Sequence, residues 1–401
     1  MVRSLRRDNG LDDRGESSSE GFRGTGLMDR LRVWHDHLPI WLSGSLAAAG
    51  IFAGSRLVMW AAAYIVTVID PTKDTFSLTM GWDAGWYLAV AENGYERAVP
   101  AGIGNVAQTN LVFFPAYPLS FRLFSGLFDT SVRQAALIVS LCSGLVGSVL
   151  MWHLAHRFTD RDGASRAVAL MVFFPAAYVL SMGYAEAMFI MLVAASMLAL
   201  FHERWLIAGT CALVAGATRL PGIALTLACM WAAYEAIRAR GEWKALIAPA
   251  LAPLGTVAFM VYQWVDVGSP VAWLDSQRRG WNNEASAGQF FRELGRIFSP
   301  DRFENFTVWQ GGIGLVFLVL GVALLIAWKP PAIMTIYTVG VLAPTVLAGL
   351  FTPRYSIVAL PLFIAIGRAV KGPAYYVLLG MSATMMALLW VVISLTQASV
   401  P

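Results

Sequence analysis

Long hydrophobic runs recur along most of the chain, separated by short polar joints and by two long polar stretches. Runs approaching the roughly 20 residues needed to cross a hydrocarbon core predict transmembrane helices. They fall at about 39–69, 133–156, 165–183, 186–201, 205–218, 222–237, 244–265, 309–328, 332–350, 355–369 and 374–396, about eleven spans in all. Lipid cannot satisfy unpaired amide groups, so the pattern predicts an all-α polytopic membrane protein. The first long polar stretch, 70–132, contains an apolar segment, Leu111 to Phe128, broken by Pro115 and Pro118 and carrying Arg122. That combination predicts an interfacial or re-entrant helix rather than a full span. The second long stretch covers 266–308.

Residues 1–30 are polar, with Arg3, Arg6, Arg7, Arg14, Arg23 and a Ser17–Ser19 run, and predict a disordered tail. They lack the short apolar region and small-residue cleavage site of a signal peptide, so retention is expected. Residues 31–401 then form one transmembrane domain. Composition agrees: 57% of residues are hydrophobic and 13% charged, about half the charged share of a soluble domain.

The net charge of +4 means less than where the charges lie. If the N-terminus is cytoplasmic, the inner joints hold Arg157, Arg161, Arg166, Arg204, Arg238, Arg240, Lys244, Lys329, Arg368 and Lys371. The short outer joints hold little besides Arg219 and Arg354. This bias follows the positive-inside rule and places both long loops outside. Cys142, Cys211 and Cys229 lie inside apolar runs and read as small buried hydrophobes. Neither they nor the five histidines have metal-ligand spacing, so no metal and no cofactor are expected. Nothing suggests a nucleic-acid partner.

On this topology the residues most costly to hold in a membrane collect on the outer face. Asp83 and Glu92 lie in the first loop, Tyr184 and Glu186 in a short turn, Arg219 in a second turn and Arg354 in a third. Ionisable groups at helix mouths are functional candidates by default, and two cations facing several acids suggest a pocket for an anionic substrate near the headgroups. Each also has a plainer reading. Asp83 can cap a helix over about 84–93 that closes at Gly94, and Glu186 can cap the span that follows it. Arg219 and Arg354 can anchor lipid phosphates, Glu92 can be a solvated face, and Arg56 can snorkel or neutralise an acid within the bundle. In the predicted 84–93 helix, Asp83 and Tyr87 share one face while Trp82 and Trp86 share its neighbour, a pattern suited to the membrane interface.

The segment Trp82-Asp83-Ala84-Gly85-Trp86-Tyr87, continuing to Ala91-Glu92-Asn93-Gly94-Tyr95, resembles the first-loop motif of PIG-V type mannosyltransferases. That family makes glycosylphosphatidylinositol anchors in eukaryotes and has actinobacterial relatives, which this chain resembles. Four further segments match in order: Phe113-Phe114-Pro115-Ala116-Tyr117-Pro118-Leu119, Tyr184-Ala185-Glu186-Ala187-Met188-Phe189, Thr218-Arg219-Leu220-Pro221-Gly222, and Arg354-Tyr355 followed by Leu360-Pro361. Ala84 and Gly85 after the acid depart slightly from the usual pairing.

The resemblance implies a GT-C glycosyltransferase fold: a multi-helix membrane bundle with an acid in its first outer loop. It also implies a polyprenyl-phosphate-mannose donor, an inverting transfer, and a glycolipid or other cell-envelope acceptor, at a multi-pass plasma-membrane protein in contact with the lipid bilayer. Asp83 is then the general base, and Arg219 and Arg354 the cations that stabilise the leaving phosphate. Tyr87 and Glu186 are candidates for holding sugar hydroxyls, and Gln277, Arg278 and Trp281 for capping a substrate from the second loop. Trp82 and Glu92 belong to the motif without an assigned step. A GT-C enzyme with another donor sugar, or a transporter of lipid-linked sugars, are the alternatives.

Overall fold

The computed structural model describes residues 38–99, 102–104, 108–281, 286–299 and 306–396. The predicted tail, 1–30, lies outside the described residues. The chain divides into a first unit, Met1–Ser43, and a second, Gly44–Pro401; the features below belong to the second. Among the described residues all regular secondary structure is helical, and six helices are long and apolar enough to cross a membrane. The protein is therefore an all-α, multi-pass integral membrane protein.

Each of the eleven predicted spans corresponds to helix, but they are not equivalent. The six long ones are Ile40–Ile69, Val132–His156, Leu220–Arg240, Trp243–Val267, Phe306–Trp328 and Gly372–Thr396. Four others, Glu186–Phe201, Trp205–Gly216, Ala332–Leu347 and Leu360–Ala369, are apolar but shorter, at 10–17 residues. At about 1.5 Å per residue such helices fall short of a hydrocarbon core of roughly 30 Å. The span predicted over 165–183 is instead a helix, Arg161–Val172, followed by a 3-10 turn, Ala177–Ser181. Hydropathy sees one continuous apolar run there and cannot see the break at Phe173–Ala176.

Two of the short helices, Glu186–Phe201 and Leu360–Ala369, are buried almost throughout. Glu186–Phe201 packs against both Val132–His156 and Trp205–Gly216, while Leu360–Ala369 packs against Arg161–Val172. By contrast, Phe306–Trp328 and Gly372–Thr396 turn large apolar side chains outward, including Val316, Val319, Ile326, Tyr376 and Val377, as lipid-facing helices do. Cys229 is buried, but Cys211 is only half-buried and Cys142 is exposed; the expectation of three buried cysteines holds in full at Cys229 alone, and Cys142 faces outward from its helix.

Local chemistry sets several helix starts. Ser131 and Gln134 form a reciprocal capping box at the head of Val132–His156, and Asp160 accepts from the Gly163 amide at 2.7 Å at the head of Arg161–Val172. In the first long loop, the segment broken by prolines becomes a 3-10 turn, Asn110–Val112, and a helix, Ala116–Phe128, with Pro115 at its start where a missing amide hydrogen does no harm. The second long loop holds two helices without a hydropathy signal, Ala272–Arg279 and Ala287–Ile297. The first of these is tied to the first loop by a 2.6 Å hydrogen bond between Ser276 and Thr109. Gln263 adds a second tie, donating to the Leu111 carbonyl at 2.8 Å and accepting from the Trp273 amide at 3.1 Å.

Candidate active site

The helix Asp83–Asn93 begins at the acid itself. Its cap is Trp82, at φ 52° and ψ −121°, with no side-chain capping bond. The reading of Asp83 as an N-cap is thus overturned: Asp83 is the first helical residue, and its carboxylate points elsewhere. The left-handed φ at Trp82 is uncommon for a bulky side chain and costs on the order of 1–3 kcal/mol. The surrounding contacts hold it there. The Asp83 amide donates to the Tyr184 hydroxyl at 3.2 Å, and the Gly183 amide donates to the Thr79 carbonyl at 3.0 Å.

The Asp83 carboxylate pairs with the Arg354 guanidinium. Through Nε, Arg354 also donates to Glu186 Oε1 at 2.7 Å, and Arg219 Nη1 reaches the same oxygen at 2.5 Å. A fourth contact places the Arg354 guanidinium 4.6 Å from the centre of the Tyr184 ring, within cation–π range. Turns far apart in the chain thus supply two carboxylates and two guanidiniums to one cluster. Glu186 heads the helix Glu186–Phe201, but Ala185 is its cap, so Glu186 serves the arginines rather than its own helix. Arg219 and Arg354 likewise hold protein carboxylates.

Exposure grades the cluster. The Glu186 side chain is 0% exposed and that of Arg354 7%, whereas Asp83 reaches 13% and Arg219 16%. The central pair is sealed, and the outer acid and outer cation are the groups a ligand meets first. Glu186 Oε2 is buried without a hydrogen-bond partner among the described residues. A buried carboxylate oxygen left unpaired costs free energy, so a substrate hydroxyl or a water fits there.

The backbone that carries Arg354 is fixed by close packing. Pro353–Ser356 forms a single helical turn after Phe351 and Thr352. The helix Phe306–Trp328 meets this loop at Gly314, where a Cβ would lie 1.8 Å from the Phe351 carbonyl oxygen. Only glycine permits that approach.

Of the remaining sequence candidates, Tyr87 is buried beside the cluster, its ring edge-on to Phe113 at 4.9 Å and to Tyr117 at 5.1 Å. Burial pushes its phenol well above the ordinary range, with Arg219 opposing and Glu186 and Asp83 adding, so it stays a neutral hydroxyl. Trp281 is brought in from the second loop, with its ring 5.9 Å from those of Trp86 and Phe113. Gln277 is half-buried and Arg278 exposed on the helix Ala272–Arg279. Glu92 lies near the far end of its helix, exposed and outside the cluster, which favours the solvated reading.

Arg56 departs from both of its sequence readings. It is buried, and its guanidinium donates to the Val172 carbonyl at 2.9 Å, the Ala177 carbonyl at 2.9 Å and the Ser181 hydroxyl at 2.7 Å. It neither snorkels nor meets an acid. It satisfies the polar groups freed where Arg161–Val172 breaks before the turn bearing Tyr184 and Glu186. Hydropathy missed Lys73 altogether. Its ammonium donates to the Ser394 carbonyl at 2.5 Å and borders, with Asp74, Gly81 and Trp82, a cleft of about 390 Å³.

No family model and no curated protein matches this sequence. A similar solved structure is that of ArnT from Cupriavidus metallidurans bound to undecaprenyl phosphate, at 16% sequence identity and a TM-score of 0.48. The likeness covers 84% of this chain and 63% of that one.

Proposed function

We propose that this protein is an inverting GT-C glycosyltransferase of the PIG-V type. It moves mannose from a polyprenyl-phosphate-mannose donor to a lipid-linked or cell-envelope acceptor on the outer face of the membrane. The observation that carries the reading is the Asp83–Arg354–Glu186–Arg219 cluster, because its four members come from the very segments that carry the motif resemblance. The positive-inside bias supports an outward-facing site.

The chemistry follows from the order of exposure. The acceptor hydroxyl oxygen forms a bond to the anomeric carbon as the bond from that carbon to the phosphate oxygen breaks. The hydroxyl proton passes to Asp83, and the electron pair of the broken bond leaves on the polyprenyl phosphate. Arg219, the more exposed cation, receives that phosphate, and the planar fork of a guanidinium suits its oxygens. The phosphate then competes with Asp83 for Arg354, and each donor that binds frees the carboxylate to act as base. Glu186 holds both arginines in place, and its free oxygen takes a sugar hydroxyl.

The test is transfer of radiolabelled mannose from synthetic polyprenyl-phosphomannose by purified protein in nanodiscs, across glycolipid and envelope acceptors. Wild type should form product, and Asp83→Asn should be slower by roughly 100- to 10,000-fold at unchanged folding. The reading is lost if wild type gives no product with any acceptor while vesicles containing it still move lipid-linked sugar. Product from a different sugar donor in the same assay would replace mannose.

A further inference from the structure

A second cleft, of about 320 Å³, lies between the helix Ala287–Ile297 and the loop that leads into Arg354. Trp281, Gln289, Glu293, Arg296, Thr307 and Thr352 are among the residues that line it. The volume is near the lower end of the roughly 300–1,000 Å³ typical of small-molecule sites, enough for a sugar ring and too small for a polyprenyl chain.

Its lining is mixed, with Ile297, Val308, Leu350 and Phe351 beside polar groups whose charges are paired locally. Arg296 Nη1 donates to both oxygens of Glu293 at 3.1 Å, and Gln289 Nε2 approaches Glu293 Oε1 at 3.4 Å. A phosphate placed here would meet the Glu293 carboxylate, whereas hydroxyl groups would find donors and acceptors side by side. The aromatic wall is Trp281, whose buried Nε1–H makes no hydrogen bond among the described residues. Buried indole donors usually find a partner, so an oxygen-bearing ligand suits this one.

The cleft is also built rather than incidental. Ser286 caps the helix, its hydroxyl accepting from the Gln289 amide at 3.1 Å, while its own amide donates to the Leu347 carbonyl at 3.1 Å. Gly349 has φ +70°, and a Cβ there would stand 2.6 Å from Glu293 Cγ, so the loop presses on the stem of the very side chain that carries the carboxylate. Thr352 is two residues before Arg354, and the Trp281 ring meets Trp86 of the Asp83–Asn93 helix. The cleft therefore adjoins both elements that deliver the Asp83–Arg354 pair.

We infer that this cleft is a subsite for a neutral, hydroxyl-rich sugar ring, with Trp281 as its aromatic wall and Gln289, Glu293 and Arg296 as its hydrogen-bonding groups. Its place in a reaction rests on the transferase reading; the binding itself does not. Full-length protein in phosphatidylcholine–phosphatidylglycerol nanodiscs is titrated with methyl α-mannoside and, separately, with inorganic phosphate, using saturation-transfer NMR and tryptophan fluorescence. The expected result is a mannoside response that Glu293→Ala and Gln289→Ala each weaken roughly tenfold, the equivalent of about 1.4 kcal/mol, with none for phosphate. In the transfer assay, Glu293→Gln should raise KM about tenfold with a smaller effect on kcat. A rise in the acceptor's KM assigns the subsite to the acceptor sugar, and a rise in the donor's assigns it to the transferred sugar. Equal mannoside responses in wild type and both variants, or a response to phosphate alone, overturn the inference. If wild type transfers nothing yet binds mannoside with the expected loss in the variants, the transferase reading fails and the sugar subsite stands. Glu293 lies on a helix without buried residues, and equal thermal melting of the variants confirms that folding is intact.

Discussion

Among the described residues two arginines are buried, Arg56 and Arg354, and they are satisfied in opposite ways. Arg56 rests on carbonyl and hydroxyl oxygens, all neutral. Arg354 lies between the carboxylates of Asp83 and Glu186, with a second cation, Arg219, on the same Glu186 oxygen. The first arrangement spreads one charge over fixed dipoles at a broken helix. The second couples four formal charges, so a ligand that competes for one of them changes the others. Burial alone therefore does not tell the two arginines apart; the partner set does.

The widest gap should come from activity. Asp83→Asn keeps the shape of the side chain but removes its charge and basicity. A transfer-rate loss of roughly 100- to 10,000-fold is expected, while an equivalent amide substitution at an acid outside the cluster, Glu92→Gln, should leave the rate within a factor of two or so. Comparable losses for the two variants would mean that the motif, and not the cluster, is the functional unit.

A matched pair of truncations then compares the two arginines directly. Arg354→Met leaves the Glu186 carboxylate fully buried with Arg219 alone, and breaking a buried ion pair in this way costs about 3–5 kcal/mol. Arg56→Met leaves only neutral acceptors unpaired and also relieves the desolvation of a cation, so a loss of about 1–3 kcal/mol is expected. Denaturation in mixed micelles measures both. Folded Arg56→Met protein should retain at least about a tenth of wild-type transfer, a loss of at most about 1.4 kcal/mol in the barrier, and folded Arg354→Met should not. Equal stability and activity losses would erase the distinction.

Gly314→Ala probes the cluster through its backbone. A methyl group at 1.8 Å from the Phe351 oxygen has to push the loop away, and overpacking of this kind costs about 1–3 kcal/mol. Transfer should fall with it, because Arg354 is displaced. Gly312→Ala, where the nearest atom would be at 3.7 Å, is the control and should be near neutral in both assays. The smallest effect is expected of Tyr184→Phe, which removes only the hydroxyl that accepts from the Asp83 amide and keeps the ring under Arg354. A loss of about 0.5–1.5 kcal/mol in transition-state stabilisation, read from kcat/KM, is the expected outcome.

The sequence made much of this legible. Apolar runs located the helices, Pro115 and Pro118 marked the irregular segment of the first loop, and the charged residues at helix mouths singled out Asp83, Glu186, Arg219 and Arg354. It was weaker wherever a feature depends on a partner. Hydropathy could not divide the run over 165–183, because the broken backbone there is supported by Arg56, more than 100 residues away in the chain. Nor could it show the helices of the second loop, whose residues read as polar connection until Ala272–Arg279 packs on the first loop and Ala287–Ile297 on the helices that follow it. Glu293 and Gln289 carry no motif, and nothing local to them in the sequence marks them.

By itself, then, the sequence determined a multi-pass helical protein with a small set of charges placed at helix ends, because hydrophobic length and the cost of charge in lipid are local properties of the chain. Only the tertiary structure decided which charge meets which. Arg354 joins Asp83 across 271 positions and Glu186 across 168, and no periodicity reaches that far. The same distance separates the two possible fates of a buried arginine. Arg56 and Arg354 carry the same charge, and it is the packing of other helices around them that supplies dipoles to one and carboxylates to the other.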